Sequence, residues 1–378
     1  MVSCIEPYNF KALETDRALV IDASLTDLNE VQFVYLNYSY PIDTTELDPA
    51  GGAIVAIEAS NGTEYSFTET NTVVYQSDVS FGAISGVSYR LNVNLQGQQY
   101  QSLWETATAA VPIDSIYGEY VTIPSADNGG FLSGVQFFID SYDASGQSTR
   151  FRYEWEEDYR ILTPFPTWYY YEPADSSVYK RSETFDVCFA NDTNKSMILS
   201  TTEGLSEPRI TELPIRFADE QYILLHRRYA LTIRQYSLSA TAYNYYKHLK
   251  ENNESAGTFF DKQKGAINGN ITAANDPSEI VLGFFEVSGV SVRRQYFSQL
   301  DFKEQGFKIS SYPGCDQQLD VDTVNVSNMP QYFQSECIGC LIVWELEPPG
   351  SGNFVVVAPE CADCRFLGVQ DQPTWWEN

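Results

Sequence analysis

The strictest pattern in this sequence is the alternation of apolar and polar side chains over residues 88–96. Its apolar members are Tyr89, Leu91, Val93 and Leu95, and a polar residue separates each from the next. Successive side chains of a strand point to opposite faces, so this period of two predicts a strand with one buried and one solvated face. Such a strand is not stable alone, because its apolar face needs other strands and a core. The chain must therefore build a sheet around it.

Other segments predict the neighbours of this strand. Residues 53–58 form an apolar run that leads into Asn61-Gly62, the strongest short signal for a β-hairpin, and residues 65–67 follow as the return strand. Short strands at regular turn spacing are typical of an immunoglobulin-like or transthyretin-like sandwich. We expect such a sandwich over residues 17–110.

A second set of strands begins after this region. Residues 135–139 and 150–155 alternate between apolar and polar side chains, and glycines separate them. The fold class predicted is mainly β, with tandem immunoglobulin-like or transthyretin-like β-sandwich domains. The domains expected are a tether over 1–16, a sandwich over 17–110 and a second β-rich domain over 111–378.

One amphipathic helix is predicted near residues 237–251. Leu238, Ala242, Tyr245 and Leu249 recur there at spacings of three and four. The helix is expected to pack on a sheet rather than in a bundle.

The sequence has seven cysteines, and most of them lie in its C-terminal part. Setting Cys4 aside leaves an even number, which is what a disulfide framework in an exported protein would leave. These six are Cys188, Cys315, Cys337, Cys340, Cys361 and Cys364. Six cysteines allow 15 pairings, so the sequence does not give their connectivity.

Four of the six form two CxxC pairs, Cys337/Cys340 and Cys361/Cys364. Their spacing matches that of a structural zinc ribbon. The segment between them predicts a hairpin of two buried strands around a Pro-Pro-Gly turn, and that hairpin would also let cysteines form disulfides. We favour disulfides, with structural zinc as the alternative. A redox-active CxxC pair is the third interpretation, and it is the weakest because no βαβ pattern surrounds these cysteines.

The net charge of −28 arises from 51 acidic and 23 basic residues. A polyanion of this size is repelled by phosphate backbones, so we exclude nucleic acid as a partner. The charge favours solubility at a crowded surface, and attraction of cations or of a basic partner is the sharper alternative.

Cys4 is the candidate lipidation site. The sequence has no run of about 18 apolar residues that would predict a transmembrane helix. It opens with Met-Val-Ser-Cys, and Val-Ser-Cys is similar to the end of a bacterial lipobox, where the cysteine is acylated after removal of a signal peptide. The alternative is an incidental cysteine.

An aromatic segment lies between residues 162 and 173. Its rings are those of Phe165, Trp168, Tyr169, Tyr170 and Tyr171. Two prolines argue against a long central strand here. The rings are candidates for a surface that stacks on a sugar or a peptide, and the favoured alternative is a plug in a domain interface.

Candidates for catalysis are few. His226 and His248 lie beside basic residues, and no HExxH, GxSxG or phosphate-loop motif occurs. The run 155–158 (Trp-Glu-Glu-Asp) offers paired carboxylates of the kind that glycosidases use, although a solvated strand end or turn is the favoured interpretation. Asp320-Val321-Asp322 has the alternation of a calcium site but lacks the twelve-residue loop. We therefore expect a protein that is not an enzyme and needs no cofactor, with zinc or calcium as structural alternatives.

Several motifs in order resemble one family. They are Cys-Ile-Glu-Pro-Tyr at 4–8, Ala-Leu-Val-Ile-Asp-Ala-Ser-Leu-Thr at 18–26, Pro-Ile-Asp-Ser-Ile at 112–116, Arg-Tyr-Glu-Trp-Glu at 152–156, Ile-Asn-Gly-Asn-Ile at 267–271 and Cys-Ala-Asp-Cys-Arg at 361–365. The chain is similar to the domain-of-unknown-function family 4249 of Bacteroidota lipoproteins. The resemblance implies an exported protein anchored by a lipid on Cys4, encoded beside a TonB-dependent, SusC-like transporter. It supplies no catalytic residues.

The leading hypothesis is a non-enzymatic lipoprotein of the outer membrane and cell surface, with the periplasmic face as the alternative location. It would act as a capture or lid subunit of the TonB-dependent transporter. The second hypothesis is a stand-alone carbohydrate- or peptide-binding module or adhesin that uses the aromatic segment. A carboxylate-based hydrolase is the third.

Overall fold

The structure is a computed structural model. It describes residues 17–39, 48–71, 73–125, 129–220, 223–255, 267, 269–308, 315, 321–335 and 339–376. Strands dominate these residues and two α-helices accompany them, so the prediction of a mainly β fold is confirmed.

The strands are numbered along the chain. The first nine are β1 (Leu19–Thr26), β2 (Phe33–Tyr38), β3 (Asp48–Pro49), β4 (Ile54–Ala59), β5 (Glu64–Asn71), β6 (Val74–Ser77), β7 (Ser88–Leu95), β8 (Gln98–Ser102) and β9 (Glu105–Thr106). The next nine are β10 (Ile113–Pro124), β11 (Phe131–Tyr142), β12 (Arg150–Leu162), β13 (Tyr169–Glu172), β14 (Ser177–Lys180), β15 (Val187–Thr193), β16 (Ile198–Thr201), β17 (Arg209–Asp219) and β18 (Arg228–Ser237). The last are β19 (Ile271–Ala273), β20 (Val281–Phe297), β21 (Val321–Asn325), β22 (Leu341–Glu345) and β23 (Asn353–Val357), and the helices are α1 (Ala240–Ser255) and α2 (Met329–Ser335).

The alternating segment forms β7, whose side chains alternate between buried and half-buried positions as predicted. The predicted hairpin also forms: β4 and β5 pair antiparallel, with Val55 opposite Phe67. Gly62 lies in the turn with a φ of 89°, a backbone conformation that favours glycine.

One continuous sheet runs through most of the molecule, in the order β15-β12-β18-β20-β1-β2-β6-β5-β4-β7-β8-β19. Its central join is the parallel pairing of β1 with β20, from Leu19 opposite Val281 to Thr26 opposite Ser288. At Gly283 the φ is 98°, and a Cβ built there would lie 1.9 Å from the carbonyl oxygen of Ile21. Only glycine lets the two strands approach so closely at this point.

Two main cores lie on this framework. The first is enclosed by β1, β2, β4 to β8, β19 and β20, and contains buried side chains such as Ile21, Leu36 and Tyr75. The second lies between β12, β18 and β20 and a separate sheet of order β10-β11-β17, where Phe137 stacks on Tyr229 at 5.3 Å. The first core draws on strands from both sides of residue 110, and the predicted division into domains stays a prediction.

The predicted helix is present as α1. It packs on the face of the continuous sheet opposite the second core, where Tyr245 stacks on Phe284 of β20 at 4.8 Å. The C-terminal part forms a sheet of order β21-β23-β22, and β22 and β23 are the hairpin expected between the CxxC pairs. The short helix α2 has no counterpart among the sequence predictions.

Candidate functional site

The aromatic segment enters a hairpin of β13 and β14 beside the C-terminal sheet. Trp168 and Tyr170 point outward, with 44% and 39% of their surfaces exposed. Tyr179, which pairs with Tyr170 across the hairpin, is 43% exposed. The ring centroids of these two tyrosines lie 5.7 Å apart. We call Trp168, Tyr170 and Tyr179 the aromatic surface.

The remaining rings of the segment point inward. Phe165 is only 3% exposed. Tyr169 contacts Phe354 and Tyr171 contacts Phe333, with ring centroids 5.6 and 5.8 Å apart. Since neighbouring side chains of a strand point to opposite faces, one run of aromatic residues both fills an interior gap and exposes rings to solvent.

The backbone and one arginine hold the aromatic surface in place. The amide of Trp168 donates to the carbonyl oxygen of Val343 in β22 at 3.3 Å, and the amide of Arg181 donates to that of Trp168 at 2.7 Å. The guanidinium of Arg181 lies 5.4 Å from the centre of the Tyr170 ring. Beside this join, Trp344 is 40% exposed. Flat apolar rings next to a cation can stack on the ring of a sugar or on a peptide.

Disulfides fix the same region. Cys188 of β15 bonds to Cys364, and Cys315 bonds to Cys361, with Cα–Cα distances of 5.5 and 5.6 Å. The disulfide prediction is confirmed for these four cysteines. The sulfurs of Cys361 and Cys364 are therefore not available as thiolate ligands of zinc. They pair with cysteines outside the β22–β23 hairpin, a connectivity that the sequence left open.

Of the three remaining cysteines, the structure describes Cys340 alone. Cys340 is disulfide-bonded. Cys4 and Cys337 lie outside the described residues. Within the described ranges, no group of three or more His, Cys, Asp or Glu side chains is placed to hold a metal ion.

The run 155–158 is not a solvated strand end or turn, and that expectation is wrong. It lies in the middle of β12, which pairs with β15 on one side and β18 on the other. Glu157 is 1% exposed and accepts hydrogen bonds from the Arg216 guanidinium, at 2.8 Å to each oxygen, and from the hydroxyl of Tyr229 at 2.7 Å. Polar residues enter this strand because arginine and tyrosine partners from β17 and β18 compensate their burial.

Asp158 lies on the opposite face of β12 and is 4% exposed. Burial, with a smaller contribution from the charge of Glu156, raises the pKa of Asp158 from 3.8 to about 6. Arg294 opposes this shift. The closed position of Asp158 does not present it to a substrate as the acid of a carboxylate pair.

A buried charged cluster lies beneath α1, and sequence reasoning missed it. Arg152 forms ion pairs with Glu154 and Glu286, and its guanidinium lies 3.2 Å from both oxygens of Glu286. The same guanidinium lies 4.0 Å from the ring centre of Tyr236 and 5.0 Å from that of Tyr246 in α1. The polar residues of β12 that face this way alternate as they would on a solvated strand, so the pattern gives no signal that a helix covers them.

The remaining candidates lie apart from the aromatic surface. His226 is 6% exposed, and burial together with the Arg227 charge lowers the pKa of His226 to about 4. Asp322 of β21 accepts a hydrogen bond from the hydroxyl of Tyr332. Asp320, its partner in the calcium pattern, lies outside the described residues.

The chain matches a known protein family over most of its length. The model of the family described as Domain of unknown function (DUF4249) matches residues 5–294 of the 378. The match includes the aromatic segment and ends before the CxxC pairs. No curated protein matches the chain. Among the described residues, no helix is long and apolar enough to cross a membrane.

Proposed function

The chain belongs to the DUF4249 family, whose function is unknown, and from that premise we propose that it is a non-enzymatic binding protein that captures a ligand on its aromatic surface. The observation that carries the proposal is the exposure of Tyr170 and Tyr179 on the β13–β14 hairpin and of Trp168 directly before it. Exposed large rings cost solvation free energy, and grouped ones mark interaction sites more often than single ones do.

The rigidity of the support adds to the proposal. The hairpin carrying the rings contacts the C-terminal sheet. The Cys188–Cys364 disulfide ties the segment after that sheet to β15 of the continuous sheet, and the Cys315–Cys361 disulfide cross-links the C-terminal part itself. Rings that are already ordered lose little conformational entropy on binding, so more of the interaction energy contributes to affinity. Tyrosine and tryptophan also combine large contact area with few rotatable bonds.

Export is the second part of the proposal. Disulfides persist in oxidising compartments, which supports a position outside the cytoplasm. We propose that a lipid on Cys4 anchors the chain to the outer membrane, on the cell surface or on the periplasmic face. Its partner would be a TonB-dependent, SusC-like transporter of a Bacteroidota species, for which the chain serves as capture or lid subunit. These finer statements rest on the resemblance of the sequence motifs.

Co-purification tests the transporter partnership. The lipidated chain is extracted from native outer membranes in mild detergent, and the recovered proteins are identified by mass spectrometry. We expect a TonB-dependent β-barrel in near-stoichiometric amount. A matched Cys4→Ala variant should lose its membrane association and with it most of the β-barrel. Recovery of the wild-type chain without any β-barrel would contradict the partnership.

A stand-alone carbohydrate- or peptide-binding module, or an adhesin, is the second candidate. The aromatic surface itself favours it, because ring stacking on a sugar or peptide needs no transporter. The two candidates separate in the same experiment: the stand-alone module is recovered alone and still binds its ligand.

A further inference from the structure

A cavity opens on the outward face of β1 and β2, apart from the aromatic surface. It has a volume of about 310 Å³. The core-facing side chains of β1 alternate with Asp22, Ser24 and Thr26, which point to the opposite face and line the cavity. In β2, Tyr35 is paired with Asp22 and Phe33 with Ser24. The volume lies at the lower end of the range typical of small-ligand sites.

Asp22 sets the chemistry of this cavity. Asp22 keeps part of its surface open to solvent although protein surrounds much of its carboxyl group, and among the described residues it makes no hydrogen bond or ion pair. Desolvation by the surrounding protein raises the pKa of Asp22, and the charge of Glu286 raises it further, against the opposing effect of Arg152. The ionised form of Asp22 is thus disfavoured in the fold, and a carboxylate that lines a cavity without a counter-ion points to a role in binding.

The charges that face Asp22 are mostly negative. Among the described residues, the charges of Glu286 in β20 and Glu154 in β12 raise the pKa of Asp22, and that of Arg152 lowers it. Glu30, between β1 and β2, is exposed and lines the same cavity. The local field therefore attracts a cation and repels an anion.

The walls of the cavity indicate which kind of cation fits. Phe33 is 41% exposed and Tyr35 is 45% exposed. Residues directly opposite in an antiparallel pair have Cβ atoms about 5 Å apart, so the Tyr35 ring stands next to the Asp22 carboxylate. Aromatic faces attract organic ammonium groups. Calcium instead needs six to eight oxygen ligands, whereas the described residues that line the cavity include two carboxylate side chains, Asp22 and Glu30.

Two residues that line the cavity, Ser24 and Thr26, carry buried hydroxyl groups. The hydroxyl oxygens of Ser24 and Thr26 have no hydrogen-bond partner among the described residues. Buried polar atoms without partners are rare in folded proteins, so these two hydroxyls distinguish the lining of the cavity from an ordinary strand surface.

We propose that this cavity binds a primary ammonium group on an aliphatic stem, with Asp22 as its counter-ion and Phe33 and Tyr35 as its walls. Two sources carry that chemistry: a lysine side chain of a partner protein and a free polyamine. The site works independently of the aromatic surface, so either proposal can fail without the other.

NMR titration of the full chain tests the assignment. The probes are N-acetyl-lysine amide and spermidine, and the neutral isostere N-acetyl-norleucine amide is the control ligand. We expect saturable shifts of the backbone amides of β1 and β2 with at least one amine and none with norleucine. Asp22→Asn should weaken binding at least tenfold and Tyr35→Leu about threefold. Glu64→Gln, which removes an exposed charge on β5, should change affinity less than twofold.

The relative affinities of the two amines identify the source of the ammonium group. Tighter binding of the lysine amide supports a protein partner, and tighter binding of spermidine supports a polyamine. The proposal is overturned if neither amine shifts β1 and β2, or if Asp22→Asn and Glu64→Gln weaken binding equally. Calcium chloride that displaces the amine and shifts the same amides at lower concentration would also overturn it. Asp22→Asn should fold normally, because it removes an unfavourable charge and keeps the side-chain shape.

Discussion

Asp158 offers a sharp test of how this sheet accommodates charge. The unfolded carboxyl has a pKa near 3.8, whereas in the folded protein burial raises the pKa of Asp158 to about 6. Between these values the folded state binds more protons than the unfolded state, so stability falls as pH rises. A shift of about two pKa units corresponds to about 3 kcal/mol, which sets the upper limit of the penalty at neutral pH.

Asp158→Asn removes this penalty. Asparagine has nearly the same shape but carries no charge, and its amide is also costly to bury, so we expect only part of the limit. The variant should be more stable than wild type by about 1–2 kcal/mol at pH 8 and equal to it near pH 4. Urea unfolding at pH 4, 5, 6, 7 and 8, with the disulfides intact, measures the difference.

The matched control is Asp371→Asn, which changes an exposed carboxyl in the C-terminal segment. Its effect should stay within about 0.5 kcal/mol at every pH. If Asp158→Asn destabilises the protein at pH 8, Asp158 is ionised and stabilised in the fold, and the reasoning is refuted. A gain that does not vary with pH would refute it equally.

Two further variants test the same framework by denaturant unfolding. Cys188 and Cys364 are separated by 176 residues, so replacing both by alanine should cost up to about 5 kcal/mol by loss of loop-closure entropy; an unchanged midpoint would contradict this. Glu157→Gln leaves the half-buried Arg216 guanidinium facing a neutral amide and should cost about 1.5–3 kcal/mol, whereas a cost below about 0.5 kcal/mol would show that the ion pair contributes little.

Local patterns predicted local elements well. The alternation ending at Leu95, the Asn-Gly turn before Gly62 and the periodic apolar positions of α1 all depend on neighbours within a few residues. Backbone geometry couples such residues directly, so their periods can be read from the sequence.

Long-range pairing could not be predicted. β1 pairs with β20 although about 260 residues separate them, and nothing in either segment identifies the other. The connectivity of the cysteines has the same origin, because it depends on which loops the completed sheet brings together. The even number of cysteines that remains without Cys4 predicts disulfides, but which cysteines bond to each other depends on the completed fold.

The candidate sites show the same limit. The composition of the segment from Phe165 to Tyr171 identifies its aromatic residues, but Tyr179, which completes the aromatic surface, joins them only through the β13–β14 hairpin. The cavity at Asp22 was missed, because a carboxylate on the outward face of a strand is also what a solvated strand shows. Phe33 and Tyr35, its aromatic walls, belong to β2. They lie beside Ser24 and Asp22 only because β1 and β2 pair in this register.

The most direct test of ligand capture is binding of the purified chain to arrays of glycans and peptides. Wild type is compared with the triple variant Trp168→Ala, Tyr170→Ala, Tyr179→Ala and with Trp104→Ala, a control that removes a 42% exposed ring far along the sequence. Ring stacking predicts saturable binding by wild type and the control, and at least a tenfold loss of affinity in the triple variant. Equal binding by all three proteins would contradict the aromatic surface as the site of capture.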